Sequence, residues 1–377
     1  MPAASRWGFL FVNLGTPDAP EVAPVRRYLR QFLSDPRVFD MPAWQRWLVL
    51  ELFILPFRPK QSAHAYRKIW TTRGSPLLFH GHDLIERVRA ALGEDGARTS
   101  IELAMRYQNP SIRSALAKLR ADGVDRIVLF PMFPQYSSAA WGSAVESVYD
   151  EARRLWDVPA ITTVPPFFDH PAFLDAFASV ARPVIDEIRA DKVLFSFHGL
   201  PERHCTKSDA SGGRHCLQSA DCCDAIVFAN RNCYRAQCFA TARGIASALR
   251  LPAERWEIAF QSRLGRDPWI QPFTDVRVKE LPKEGARRVA ILSPAFVADC
   301  LETLEELAMR ARDDFLASGG EELALVPSLN ASEPWVRATI RMLRETAPAA
   351  FADADAARNA GQAEDSAIER IGSTPKP

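Results

Sequence analysis

Residues 192 to 201 read Lys192-Val-Leu-Phe-Ser-Phe-His198-Gly-Leu-Pro201. The core of this run is short, nearly all apolar and aromatic-rich, which reads as a strand covered on both faces. Gly199 and Pro201 then turn the chain away and leave His198 at the strand's carboxyl end. Residues 8–13, 126–130, 256–260 and 288–292 have the same character. Helical patterns lie between them at 111–121, 172–189 and 235–249. Alternating strand and helix predicts α/β architecture with parallel sheets. The pattern runs twice, breaking near Val164-Pro-Pro-Phe-Phe168. We therefore expect two Rossmann-like, doubly wound halves, residues 1–165 and 166–345. A cleft should open at the carboxyl ends of the strands. The tail, 346–377, is rich in Ala, Asp and Glu and should be helical at first and loose at its end.

The chain has 377 residues, of which 47% are hydrophobic and 25% charged, an ordinary globular composition with ample core for two halves. Its formal net charge of +1 gives no bulk attraction to nucleic acid. The start lacks the layout of a signal peptide. The longest apolar stretch, residues 47–57, is interrupted by Glu51 and Pro56 and is too short to span a bilayer. These features predict a cytoplasmic protein, where thiols stay reduced. No G-x-G-x-x-G follows the first strand and no P-loop occurs, which removes the usual sequence support for a dinucleotide or ATP site.

His198 at a cleft edge can take or give protons near neutrality. The strand 288–292 leads into Asp299-Cys-Leu-Glu302-Thr-Leu-Glu-Glu306. Asp299 resembles a helix N-cap. Glu302 and Glu306 are four apart and share one helix face, where two carboxylates can guide a cation or relay protons. Arg106 can pair with a substrate carboxylate. Tyr136, Trp269 and Phe296 can form an apolar wall, although singly each is equally a core residue.

In chain order these segments are Val12-Asn-Leu-Gly-Thr-Pro17, Tyr66-Arg-Lys-Ile69, Arg106-Tyr107, Phe133-Pro-Gln-Tyr-Ser137, Ser196-Phe-His-Gly-Leu-Pro201, Phe260-Gln-Ser-Arg-Leu-Gly265 with Pro268-Trp269, and Phe296-Val-Ala-Asp-Cys-Leu-Glu302. As an ordered set over roughly residues 8 to 330 the sequence resembles the ferrochelatases, which insert Fe²⁺ into protoporphyrin IX in the terminal step of haem synthesis. The resemblance implies two Rossmann-like halves facing a porphyrin cleft. It makes His198 the active-site histidine and Glu302 its acidic partner, both near the substrate iron, with Glu306 continuing the carboxylate line. It places Arg106, Tyr107, Tyr136 and Trp269 at the porphyrin cleft, where Phe296 would join them as apolar wall at the substrate. Many family members carry a histidine where this chain has Cys300, which reads here as a small buried residue.

The resemblance also isolates an insertion, residues 203–238, holding Cys205, Cys216, Cys222, Cys223, Cys233 and Cys238. Some ferrochelatases carry a [2Fe–2S] cluster, and four thiolates hold such a cluster. Cys216, Cys222, Cys223 and Cys233 are the expected ligands, with Cys238 in reserve. The spacings match neither common ferredoxin run, so zinc with His204 or His215 stays open. The apolar stretch 41–57 falls where the family has a lip over the cleft and can rest on a membrane surface. Coproporphyrin III stays open as the substrate. A tetrapyrrole carrier or sensor, a redox regulator built on the cysteine loop, and a chelatase for another metal are rival readings. The oligomeric state is not legible.

Overall fold

The computed structural model describes residues 6–93, 99–263, 265 and 267–351. Most of the tail expected at 346–377, and Leu264 of the Phe260–Gly265 segment, lie outside the described residues. The first sheet is built from β1 (Trp7–Gly15), β2 (Ser100–Tyr107), β3 (Arg126–Pro131) and β4 (Ala160–Thr163); the second from β5 (Lys192–His198), β6 (Trp256–Gln261), β7 (Arg288–Leu292) and β8 (Glu322–Leu325). The orders are β2-β1-β3-β4 and β6-β5-β7-β8, and every pairing is parallel. The same topology thus occurs twice, as the alternating pattern predicts.

The five strands read from sequence are present. The three added strands explain themselves chemically. β4 and β8 have four residues each and lie at sheet edges. β2 carries Glu102 and Arg106, which break the apolar run expected of a buried parallel strand. Phe9, Phe11, Phe130, Phe195, Phe197 and Phe260 are nearly sealed from solvent in one core that reaches across both halves. Trp335, on the helix Glu333–Thr346, packs against Phe130, Phe167 and Phe173, and Phe351 stacks on Phe9 at 5.6 Å. The helix Glu333–Thr346 and the turn after it are therefore fastened to the first sheet.

In each sheet the chain moves outward to one side and then returns to the other, so the switch falls between β1 and β3 and between β5 and β7. Loops leaving these strand ends in opposite directions leave a crevice between them. Gly15 closes the first of these turns with φ +117°, and a Cβ there would lie 2.0 Å from the Tyr107 carbonyl oxygen.

Candidate active site

A cavity of about 730 Å³ lies at the carboxyl ends of both sheets, within the size range of small-molecule sites. Asn13 and Leu14 at the end of β1, Met132 and Phe133 after β3, His198 at the end of β5, and Phe296 after β7 all line it. His198 is half-buried and its Nδ1 lies 2.7 Å from the Gly199 carbonyl oxygen. A carbonyl only accepts, so Nδ1 carries the proton. In the neutral ring, Nε2 then presents a lone pair. Gly199 permits the turn, because a Cβ there would lie 2.9 Å from the Gln261 carbonyl oxygen. The edge of the imidazole meets the Phe296 ring with centroids 6.2 Å apart.

Glu302 and Glu306 line the same cavity. They belong to a π-helical segment, Glu302–Ala311, not the α-helix assumed in reading their spacing. Its i→i+5 bonding gives a wider turn, of a kind that recurs at functional sites. A buried polar chain ties this segment to the histidine's sheet. Ser196 donates to Gln261 Oε1 at 2.7 Å, and Gln261 Nε2 donates to the Glu302 carbonyl at 3.2 Å. Burial, then the Glu302 charge, raises the Glu306 carboxyl above the ordinary range against the Ser262 hydroxyl and Arg310. A raised carboxyl binds its proton more tightly folded than unfolded. It therefore costs stability progressively as pH rises from its ordinary value toward the raised one. Glu306→Gln should melt higher than the parent at pH 7, with the difference shrinking as pH falls toward 4.5. Equal melting curves at both pH values would contradict this.

The capping expectation for Asp299 is corrected. Its carboxylate accepts from Thr303 Oγ1 at 3.0 Å, Asn330 Nδ2 at 2.8 Å and the Ser328 N–H at 3.2 Å, while the Cys300 N–H turns to Thr303 Oγ1. Asp299 thus clamps the loop that delivers Glu302. Cys300 packs with Leu77, Ala298 and Phe296. Burial and the Glu302 charge push its thiol well up, so it stays protonated.

Trp269 and Phe296 line the cavity, whereas Arg106, Tyr107 and Tyr136 are not on its walls. Arg106 and Tyr107 point to Asp35 behind it, at 2.7 and 2.8 Å. Tyr136 turns its ring to Trp141, and its N–H donates to Gln237. The reason is charge: a guanidinium on a buried strand needs a carboxylate, and Asp35 supplies one. The walls also use side chains to which the sequence reading gave no role, although Thr16, Tyr66 and Ser262 stand within its quoted motifs. Thr16 and Ser75 hydrogen-bond at 2.8 Å, Tyr28 and Tyr66 meet edge to face, and Ser262 and Arg310 hold Glu306. None of these carries a spacing signal, because each comes from a different element.

The cysteines of the insertion gather in space. Cys205, Cys216, Cys222, Cys223 and Cys233 are all buried with free thiols. The Cys222 and Cys223 sulfurs lie 3.7 Å apart, and Arg235 Nη1 donates to Cys223 at 3.0 Å. Burial pushes the Cys223 thiol up to about 12. The hydrogen bond with Cys205 and, against burial, the Ala236 N–H at the start of the helix Tyr234–Leu249 hold Cys233 down to about 6. Cys238 instead interacts with the Tyr234 hydroxyl within that helix. His215 is occupied by the Cys222 carbonyl and Asn230. His204 lines the cavity 3.7 Å from Asp40, and neither of its ring nitrogens has a hydrogen-bond partner among the described residues. Among the described residues no three His, Cys, Asp or Glu side chains form a group that could hold a metal ion.

Two parallel four-stranded sheets of one topology are a fold that solved structures share. SirB from Bacillus subtilis with Fe³⁺, and the sirohydrochlorin chelatase SirB from Bacillus subtilis subspecies spizizenii in complex with cobalt, share it. Their TM-scores are 0.50 and 0.51, at 14% and 12% identity, each pairing 91% of this chain with 96% of theirs. The chain belongs to the ferrochelatase family, whose profile matches residues 6–347. The ferrochelatase of Coxiella burnetii (strain Dugway 5J108-111) is 46% identical over 344 residues, covering 90% of this chain and 93% of that one. That of Azotobacter vinelandii is 48% identical over 340 residues, covering 89% and 97%. The chain is accordingly an enzyme that inserts iron into a porphyrin, with haem synthesis as its expected role.

Proposed function

We propose that the chain metallates protoporphyrin IX with Fe²⁺, using His198 as the base and Glu302 with Glu306 as an acidic relay. The carrying observation is that His198, with Nε2 free to accept, lines one cavity with both carboxylates. Insertion replaces two pyrrole N–H protons by one Fe²⁺, so two protons must leave as the iron enters. The His198 Nε2 accepts one from the macrocycle. Glu302 and Glu306 pass protons outward, Glu306 being suited by its raised carboxyl. Trp269 and Phe296 supply apolar wall for the macrocycle. Mixing Fe²⁺ with protoporphyrin IX or coproporphyrin III without air tests the substrate. The expected result is a higher kcat/KM for protoporphyrin IX, and the reverse preference would reassign it.

The insertion is proposed to hold a [2Fe–2S] cluster. Its support is five buried thiols in one insertion, one held in the thiolate range, with Arg235 and the Leu217 N–H aimed at sulfur; as they stand no three of them form a metal-holding group, so cluster binding would have to draw them together. Cys216, Cys222, Cys223 and Cys233 are the leading ligands. Cys205, through its bond with Cys233, replaces Cys238 as the reserve. When bound, such a cluster supplies a one-electron centre and a structural staple. Protein purified without air should show the visible absorption of iron and sulfide. Cys216→Ser and Cys233→Ser should lose it, whereas Cys238→Ser keeps it. A colourless parent with zinc by metal analysis would sink the cluster.

No described helix is long and apolar enough to cross a membrane. Trp44, Trp47, Leu52, Phe53 and Phe57 are nevertheless exposed on and just beyond Ala43–Val49 and Leu50–Ile54, and Ile54 lines the cavity. We read a cytoplasmic protein whose lip rests on the membrane from which an apolar porphyrin arrives. Replacing Trp44, Trp47, Phe53 and Phe57 together by Ser should reduce sedimentation with phospholipid vesicles several-fold. It should leave turnover on detergent-dispersed porphyrin within about twofold, since exposed changes rarely alter the fold. Unchanged sedimentation would remove the membrane role.

A further inference from the structure

A second cavity, of about 400 Å³, opens where the helices Pro171–Glu187 and Tyr234–Leu249 end side by side. Arg182, Arg189, Arg250 and Arg255 line it, against the single carboxylate of Asp186. None of the four guanidinium groups has an ion-pair partner among the described residues. Elsewhere on the surface many such groups are paired, as Arg37 is with Glu146, Arg73 with Asp83 and Arg277 with three glutamates. The chain as a whole is nearly neutral, so this concentration is local.

Two of the arginines are anchored. Arg182 Nη2 donates to the Ala248 carbonyl at 3.2 Å, and Arg255 Nη2 donates to the Ala190 carbonyl. The Ala248 carbonyl belongs to a helix end, where acceptors lack intrahelical partners, and that of Ala190 to the turn between the other helix and β5. Each bond uses one guanidinium nitrogen and leaves the other donors of the fork free. Arg189 and Arg250 occupy corresponding places just after the two helices, in left-handed backbone with φ +49° and +57°. That position favours glycine or asparagine, yet an arginine stands there in both cases. The partial negative charge of two helix C-termini and Asp186 does not balance four guanidinium groups.

We propose that this cavity is a binding site for a small phosphate-bearing anion, of the size of pyrophosphate or the phosphate chain of a nucleotide. Planar guanidinium forks match pairs of phosphate oxygens. The site is no part of the porphyrin cleft. Ala190 lies just before β5, and that strand runs seven residues to His198, roughly 23 Å at strand rise.

Calorimetric titration of the full chain with inorganic pyrophosphate, at fixed ionic strength and without iron, tests the proposal. One saturable site per chain is expected, binding inorganic phosphate more weakly. Arg189→Gly with Arg250→Gly suits the left-handed backbone, so the double variant should keep its melting temperature. It should bind pyrophosphate at least tenfold more weakly, with basal chelatase turnover unchanged. Absence of saturable binding, equal affinity in the double variant, or heats that sodium chloride reproduces at matched ionic strength would overturn the proposal.

Discussion

Replacing His198 by Ala is expected to lower metallation turnover by roughly 10²–10⁴-fold, the ordinary worth of a positioned base, while porphyrin still binds. The hydrogen bond from Nδ1 to the Gly199 carbonyl fixes both ring orientation and tautomer, so the accepting Nε2 is set before substrate arrives. No neighbouring side chain duplicates it. Glu306 is held by Ser262 and Arg310, and Cys300 is kept as a thiol. The apolar walls proposed for the macrocycle, including Phe296 and Trp269, lie on other elements of the cavity, and the substitution leaves them in place. The assay follows loss of porphyrin fluorescence and growth of the haem spectrum without air, with porphyrin binding measured separately by fluorescence quenching. Full turnover in the variant would refute the base assignment. Tight binding without turnover in the parent would favour a carrier or sensor.

The fold was legible because buried parallel strands leave a plain trace, short apolar runs ended by turn residues, and five of the eight show it. β4 and β8 do not, since four residues are too short a run to stand out, and the charged residues of β2 interrupt its run. The sequence put His198 and Phe296 at the cleft because each closely follows a strand whose direction the pattern gives, and Glu302, Glu306 and Trp269 by their place in the ordered motifs; all five line the cavity. Arg106 and Tyr107 show the limit. They follow the same logic at the end of β2, but the carboxylate they serve lies some seventy residues earlier in the chain, at Asp35. A partner at that separation leaves no spacing to read. The cysteine loop is intermediate. Its density was plain, but Cys205 appeared remote from the group until the fold returned it to Cys233.

That same Asp35 carries the largest expected effect on stability. Asp35→Ala should destabilise the fold by about 3–5 kcal/mol, the range for removing one member of a buried ion pair. The carboxylate is almost fully enclosed, with 1% of its side chain exposed, against 19% for Arg106. It accepts from Arg106 Nη2 at 2.7 Å, Tyr107 Oη at 2.8 Å, Ser143 Oγ at 2.5 Å and the Arg37 N–H at 2.8 Å. Truncation strands a cation and leaves these donors without their acceptor in one step. Burial alone would raise the Asp35 carboxyl, but the hydrogen bonds from Ser143, Arg37 and Tyr107 and the charge of Arg106 outweigh it and hold it below the usual range. Its contribution is therefore present above the ordinary Asp pKa, near 3.8, and is lost as pH falls through the lowered value. Urea unfolding should show the deficit of Asp35→Ala at pH 7 and its narrowing in acid. A double variant with Arg106→Ala should cost less than the two single changes together, because they share one interaction. Additive costs would mean that the pair is not coupled. The effect should also reach catalysis: Asp35 binds the Arg37 N–H, and Val38 and Phe39 just beyond it line the cavity. Enough Asp35→Ala should fold at low temperature to be assayed, and its KM for porphyrin should rise more than its kcat falls.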